Sequence, residues 1–141
     1  MKLVLHSGAA LLSILLIVGG CTKNQDMSSE RTVANIAGTY QLTGFTKTIN
    51  DITYNTFDTM SACQKDNLVR FNTDMTAEFI DAGTPCSFAT SRSGTWNLVS
   101  GCIFLDGEAL WIRNFNGKTL ALSTVSANDP GVLNFTTWVK K

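Results

Sequence analysis

The sequence predicts an all-β fold: an eight-stranded up-and-down antiparallel barrel, preceded by a cleaved signal peptide and a flexible tether. Three observations predict it. Short apolar-rich runs alternate with period two and are cut by turn residues at intervals too short for helices. No run sustains a helical period, although Ile49 to Cys63 has room for one helix. The runs after Asp81 follow one another through hairpin signals, which leaves little room for the long crossovers of a two-sheet sandwich. Closing such a meander removes its exposed edges.

The first element is the leader. Met1-Lys2 supplies a positive charge, Leu3 to Val18 is mostly apolar, and Gly19 and Gly20 precede a cysteine, the layout of a bacterial secretory signal over residues 1–20. Its apolar core of about 10 to 16 residues, interrupted by His6 and Ser7, falls short of the roughly 20 that span a bilayer. Leu16-Ile17-Val18-Gly19-Gly20-Cys21 resembles a lipobox. That resemblance implies cleavage before Cys21, a thioether-linked diacylglycerol on its sulfur and a fatty acyl chain such as palmitate on the new amino group. Two or three chains anchor a protein stably where one holds it only reversibly, at about 0.8 kcal/mol per buried methylene. The expected location is the outer membrane, lipid-anchored and facing the periplasm or the exterior. Lys23-Asn24-Gln25-Asp26 weakly resembles a surface-export signal. Residues 21–35 are polar and read as the tether, and residues 36–141 as one domain.

Charge and composition exclude whole classes. The chain has 11 basic and 11 acidic residues, and Lys2 leaves with the signal, so the mature surface is near neutral and offers no footprint for nucleic acid. The single histidine, His6, also leaves. Ser-His-Asp and Cys-His catalysis and histidine-ligated zinc are thereby ruled out, and no cofactor or metal is expected. With Cys21 committed to lipid, Cys63, Cys86 and Cys102 remain, and an oxidising compartment should pair two of them. Cys63 and Cys86 lie in loop-like stretches flanking a hairpin, where loops can meet, whereas Cys102 sits in a strand-like run and is expected as a buried thiol.

The strands follow in order. Gly38 to Lys47 puts Tyr40 and Leu42 on one face, and Phe45 breaks the alternation after Gly44, which predicts a bulge. Lys47 to Asp66 reads as a long connection. Asn67 to Asn72 and Met75 to Asp81 are the next runs, joined by a tight turn at Asn72-Thr73-Asp74. After a second long connection, Ala82 to Ser93, come Gly94 to Val99, Cys102 to Asp106 and Ala109 to Phe115. Lys118 to Thr124 and Val132 to Val139 complete the eight. Asp106-Gly107 and Asn116-Gly117 are hairpin signals, the latter suited to a type I′ turn.

Ile36-Ala37-Gly38-Thr39-Tyr40-Gln41-Leu42 is similar to the Gly-x-Trp entry strand of lipocalins, with Tyr40 in place of tryptophan. Ala62-Cys63-Gln64-Lys65-Asp66-Asn67 leads to Phe71, and the Cys86 segment leads to Gly94-Thr95-Trp96-Asn97-Leu98. In this order the motifs resemble the lipocalin-like domain of many Bacteroidetes lipoproteins. The resemblance implies an eight-stranded barrel with a pocket at one end, and it supports a Cys63–Cys86 bond. Asp58-Thr59-Met60 resembles a three-residue O-glycosylation motif of that phylum, which would make Thr59 the acceptor.

The candidate ligand wall is Tyr40, Tyr54, Trp96, Trp111 and Trp138, with Arg113 as an anion contact. Aromatics on alternating strands are more often core, because each buries a large area. Arg70 and Arg113, inside strand runs, are expected to close an end of the barrel by stacking on an aromatic. Most aspartates fall at turns, where they bond the backbone, and no paired-carboxylate hydrolase is indicated. Two functions follow as expectations: a non-enzymatic barrel holding a small apolar or amphipathic ligand, or a protein-interaction module acting through its disulfide-tied loops. The second would be an envelope protease or lysozyme inhibitor, or an accessory subunit.

Overall fold

The computed structural model describes residues 31–86 and 91–141. The expected signal, Cys21 and most of the tether lie outside the described residues. Folding begins before Ile36, at a one-turn helix, α1 (Val33–Ile36). Thr32 caps it, its hydroxyl accepting the Asn35 N–H at 3.2 Å. One turn is too short to persist alone. It is held by Ile36, which is fully buried and whose carbonyl accepts the Tyr40 hydroxyl at 2.7 Å.

The strands are β1 (Gly38–Ile49), β2 (Ile52–Asn55), β3 (Leu68–Phe71), β4 (Thr76–Ile80), β5 (Arg92–Val99), β6 (Cys102–Leu105), β7 (Glu108–Phe115), β8 (Thr119–Val125) and β9 (Val132–Lys140). From β3 onward each pairs antiparallel with its sequence neighbour, β1 pairs with β3, and β1 with β9 closes the ring. The ring therefore has eight strands, as expected. The ninth, β2, pairs only with Thr46–Ile49 of β1 and stands outside the ring as a hairpin flap. Between β2 and β3 lie a 3-10 turn, Phe57–Thr59, and a second one-turn helix, α2 (Ala62–Lys65), so the long connection carries structure of its own.

Local chemistry sets the bends. The β1–β9 register shifts between Leu42 and Gly44, which is the bulge that Phe45 announced. Ser100-Gly101 and Asp106-Gly107 both take two positive φ values, the requirement of a type I′ turn, and so does Asn50-Asp51 between β1 and β2. At Asn116-Gly117 only the glycine has positive φ, so the expected type I′ turn does not form. Instead Asn116 Oδ1 accepts the N–H groups of Lys118 and Thr119, and this side-chain bond makes a three-residue connection preferable.

The core is concentrated toward one end. Tyr40 meets Phe71 edge-on with centroids 6.0 Å apart, and Phe71 meets Trp96 at 5.0 Å. Ile36, Val69, Ala77, Ile103, Ile112, Phe115, Leu120 and Leu122 complete the cluster, with Val33 and Ala37 of the entry segment among the half-buried residues packed against it. Trp96 Nε1 donates to the Asn72 carbonyl at 2.8 Å, so even its polar edge is satisfied.

Candidate functional site

In an up-and-down ring successive connections alternate between the two ends. The short turns at 72–75, 100–101 and 116–118 share the end that α1 covers. The long β1–β3 and β4–β5 connections gather at the other end with Asp106-Gly107 and the β8–β9 turn. This is the mouth.

The two long loops are tied there. Cys63 and Cys86 are disulfide-bonded. Asp66 Oδ2 accepts the Thr84 N–H at 2.8 Å, and Gln41 Nε2 donates to the Lys65 carbonyl at 3.1 Å. Asn67, with its amide nitrogen turned toward acceptors, donates to Asp81 Oδ1 at 3.0 Å and the Cys63 carbonyl at 3.1 Å. α2 carries a capping box, Ser61 with Gln64, that fixes its start.

Beneath these loops lies a cleft of about 370 Å³. Leu42, Val69, Phe79 and Trp138 make its apolar floor, and Gln64, Asn67, Asp81 and Arg92 its polar rim. Arg92 shares the inward parity of Gly94 and Trp96, and its guanidinium stacks on the Phe79 ring at 3.7 Å. Its Nη1 donates to Asp106 Oδ2 at 2.7 Å, linking β5 to the β6–β7 turn. Asp106 Oδ1 also accepts the Thr95 N–H at 2.8 Å. This backbone bond, followed by Arg92, holds the Asp106 carboxyl below the usual carboxylate range. Gly94 is required here, since a Cβ would run into the Asp106 carboxylate.

Of the candidate residues named from sequence, Trp138 lines the cleft, and the others are not brought together there. Tyr40 and Trp96 are buried in the core at the closed end. Burial pushes the Tyr40 phenol up to about 12. Tyr54 is exposed on the β2 flap. Trp111 and Arg113 do not line the interior. Trp111 stands on the outer wall, and Arg113 Nε donates to Ser123 Oγ on that wall at 2.6 Å, because the β-bulge between Ile112 and Asn114 turns it away from the core. Arg70 does not close an end either: it bonds Glu78 and Thr39 on the outside, since inward parity in β3 belongs to Val69 and Phe71. Cys102 is half-buried on the outer wall rather than buried. Thr59 is exposed in the 3-10 turn, its hydroxyl donating to the Thr56 carbonyl at 2.9 Å.

The stacked arginine at the mouth is Arg92, which opens β5 two residues before Gly94, where the alternation of the sequence starts the strand. The signal was the parity of Arg92, Gly94, Trp96 and Leu98. Leu42 and Phe79 are legible as members of one strand face but not as a floor.

A family model described as a lipocalin-like domain matches residues 36–128. No curated protein matches the chain in sequence. Among solved structures, the chain is similar to bovine odorant binding protein in complex with a selenium-containing odorant, at 11% identity and TM-score 0.48, covering 79% of this chain and 74% of that one. A deswapped triple mutant of bovine odorant binding protein is similar at 13% identity and TM-score 0.43, covering 76% and 74%.

Proposed function

The chain belongs to the lipocalin-like domain family, and from that premise we propose a non-enzymatic cell-envelope protein, anchored through lipid on Cys21, that holds one small apolar or amphipathic molecule at its barrel mouth. The observation that carries the ligand reading is the cleft of about 370 Å³, with an apolar floor of Leu42, Val69, Phe79 and Trp138 under a polar rim. Pockets of this kind take their affinity from the floor and their orientation from a few polar groups.

Thermal unfolding in the presence of fractionated envelope lipids and aromatic metabolites tests it. A ligand at a hundred times its Kd stabilises the fold by about 2.7 kcal/mol. A binding fraction raises Tm, and Leu42→Trp, which fills the cleft, abolishes the rise. A rise that survives Leu42→Trp, or no rise with any fraction, overturns the reading. Palmitate labelling that persists in Cys21→Ser overturns the anchor separately.

The β1–β2 flap supports a second reading, a protein-interaction surface. It carries Ile52 and Tyr54 at 57% and 51% exposure beside the disulfide-tied loops. Pull-down from envelope extract with wild type and with Ile52→Ser/Tyr54→Ser distinguishes it: a partner lost with the flap residues supports this surface.

A further inference from the structure

The outer wall of the barrel carries an apolar strip that neither reading uses. Register sets Val99 beside Cys102 and Cys102 beside Trp111, while Phe104, two residues along β6 on the same face, sits beside Ala109. Val99, Phe104 and Trp111 are 46%, 37% and 41% exposed, and none of the five carries a charge. Single apolar residues on a surface are ordinary, but a row crossing three adjacent strands forms a continuous patch.

The path of the chain says what meets this patch. Arg31 is the first described residue, and its Nη1 lies 3.6 Å from where a Cβ on Gly101 would stand. The chain thus enters beside the β5–β6 turn, whose flanking residues include Val99 and Cys102. Cys21 precedes Arg31 by ten residues, at most about 35 Å of extended chain. An anchor there keeps the strip within reach of a bilayer at high effective concentration, so that even a weak contact is populated. Arg31 at the entry and Arg113, two residues beyond Trp111, supply cations at its edges, and tryptophan and arginine are side chains that suit a lipid interface.

We propose that the outer face of β5–β7, centred on Trp111, seats on the lipid interface, so that the anchored barrel lies on its side wall. This rests on the lipid anchor of the preceding section. The test uses the acylated mature protein extracted from membranes and reconstituted in phosphatidylethanolamine–phosphatidylglycerol vesicles whose acyl chains are brominated. Of the three tryptophans, Trp96 and Trp138 face the interior. Bromine quenching in the wild type that Trp111→Phe loses, with both proteins retained on the vesicles, is the expected result. A parallel readout is a slower reaction of the Cys102 thiol with an impermeant maleimide on vesicles than in detergent.

Vesicle-bound protein whose fluorescence and thiol reactivity ignore the bilayer overturns the seat and leaves the anchor standing. A chain whose mass shows no acyl groups overturns both.

Discussion

The two ends of this barrel are built from the same strands and solve opposite problems. At the α1 end the interior is filled by Tyr40, Phe71 and Trp96, the polar atoms of Tyr40 and Trp96 bonding backbone carbonyls, and a one-turn helix lays Ile36 over them. At the mouth the wall residues are smaller or set apart. The space above them is bounded by two loops tied through Cys63–Cys86 and by one arginine laid across Phe79. The difference teaches that filling and openness are decided strand position by strand position. Side chains of similar type become core where three aromatics converge and a floor where they do not. Stability is therefore expected to reside at one end and specificity at the other.

The strongest way to break that division is to empty the closed end. Trp96→Ala removes the last ring of the aromatic line and leaves the Asn72 carbonyl with the Met75 N–H as its remaining donor. It should lower stability in urea by about 3–5 kcal/mol. Phe79→Ala, a half-buried residue at the mouth, should cost less. If the mouth substitution proves the costlier, the division is wrong.

The disulfide tests the same contrast from the other side. It closes a loop of about 24 residues, so replacing both cysteines by serine should cost roughly 3 kcal/mol through the unfolded chain. In the native state the loss should stay local. Hydrogen exchange should quicken in Ala62–Lys65 and near Thr84, while the amides of Phe71 and Leu120 remain protected. Quickening at Phe71 would mean that the staple supports the core.

Tyr40 sharpens the comparison through pH. Its phenol is raised to about 12 in the folded chain, while the unfolded value is near 10. The unfolded chain therefore loses its proton first, and stability falls as pH rises from 10 through 12, by roughly 2–3 kcal/mol in total. Below pH 10 the group contributes no pH dependence. Tyr40→Phe should flatten the alkaline limb while costing about 1 kcal/mol at neutral pH, because the Ile36 carbonyl loses its donor. An alkaline limb unchanged by the substitution would place its origin elsewhere.

How legible these features were follows from the same physics. Strands with one buried face announce themselves, as Leu120 and Leu122 alternate with Thr119 and Ala121, and the Gly44 bulge shows as a broken alternation. β2 was not legible, because Ile52–Asn55 is exposed along its whole length and has no buried face to impose a pattern. α1 is one turn whose stability comes from burying Ile36 and not from its own residues. The site is the least legible part of the sequence. Aromatic identity marks Tyr40, Trp96 and Trp111 equally, but only register tells that two fill the core and one faces out. Arg92 looked like loop because Arg92-Ser93 begins β5 with polar residues.

The smallest expected effect lies in that arginine, and it separates holding the mouth from holding the fold. Arg92 is more than half exposed, so its ion pair with Asp106 is screened, and the stack on Phe79 is the larger part of what it contributes. Arg92→Met keeps an aliphatic cover on the ring and should lower stability by about 1 kcal/mol or less. The Asp106 carboxyl should then titrate nearer the ordinary range but remain below it, because the Thr95 N–H, its principal partner, is still in place. Since Asp106 is held low in the folded chain, its contribution to stability is present above the unfolded value and fades as pH falls through the folded one. In the variant that fading should begin at a higher pH, which an NMR titration of the Asp106 side chain would follow alongside acid unfolding. If Asp106 instead returned fully to the ordinary carboxylate range, the backbone bond would be a consequence of the arginine, and the β6–β7 turn would depend on the latch. With the backbone bond primary, the turn is set first by the type I′ geometry of Asp106-Gly107, and Arg92 is laid across a mouth already formed.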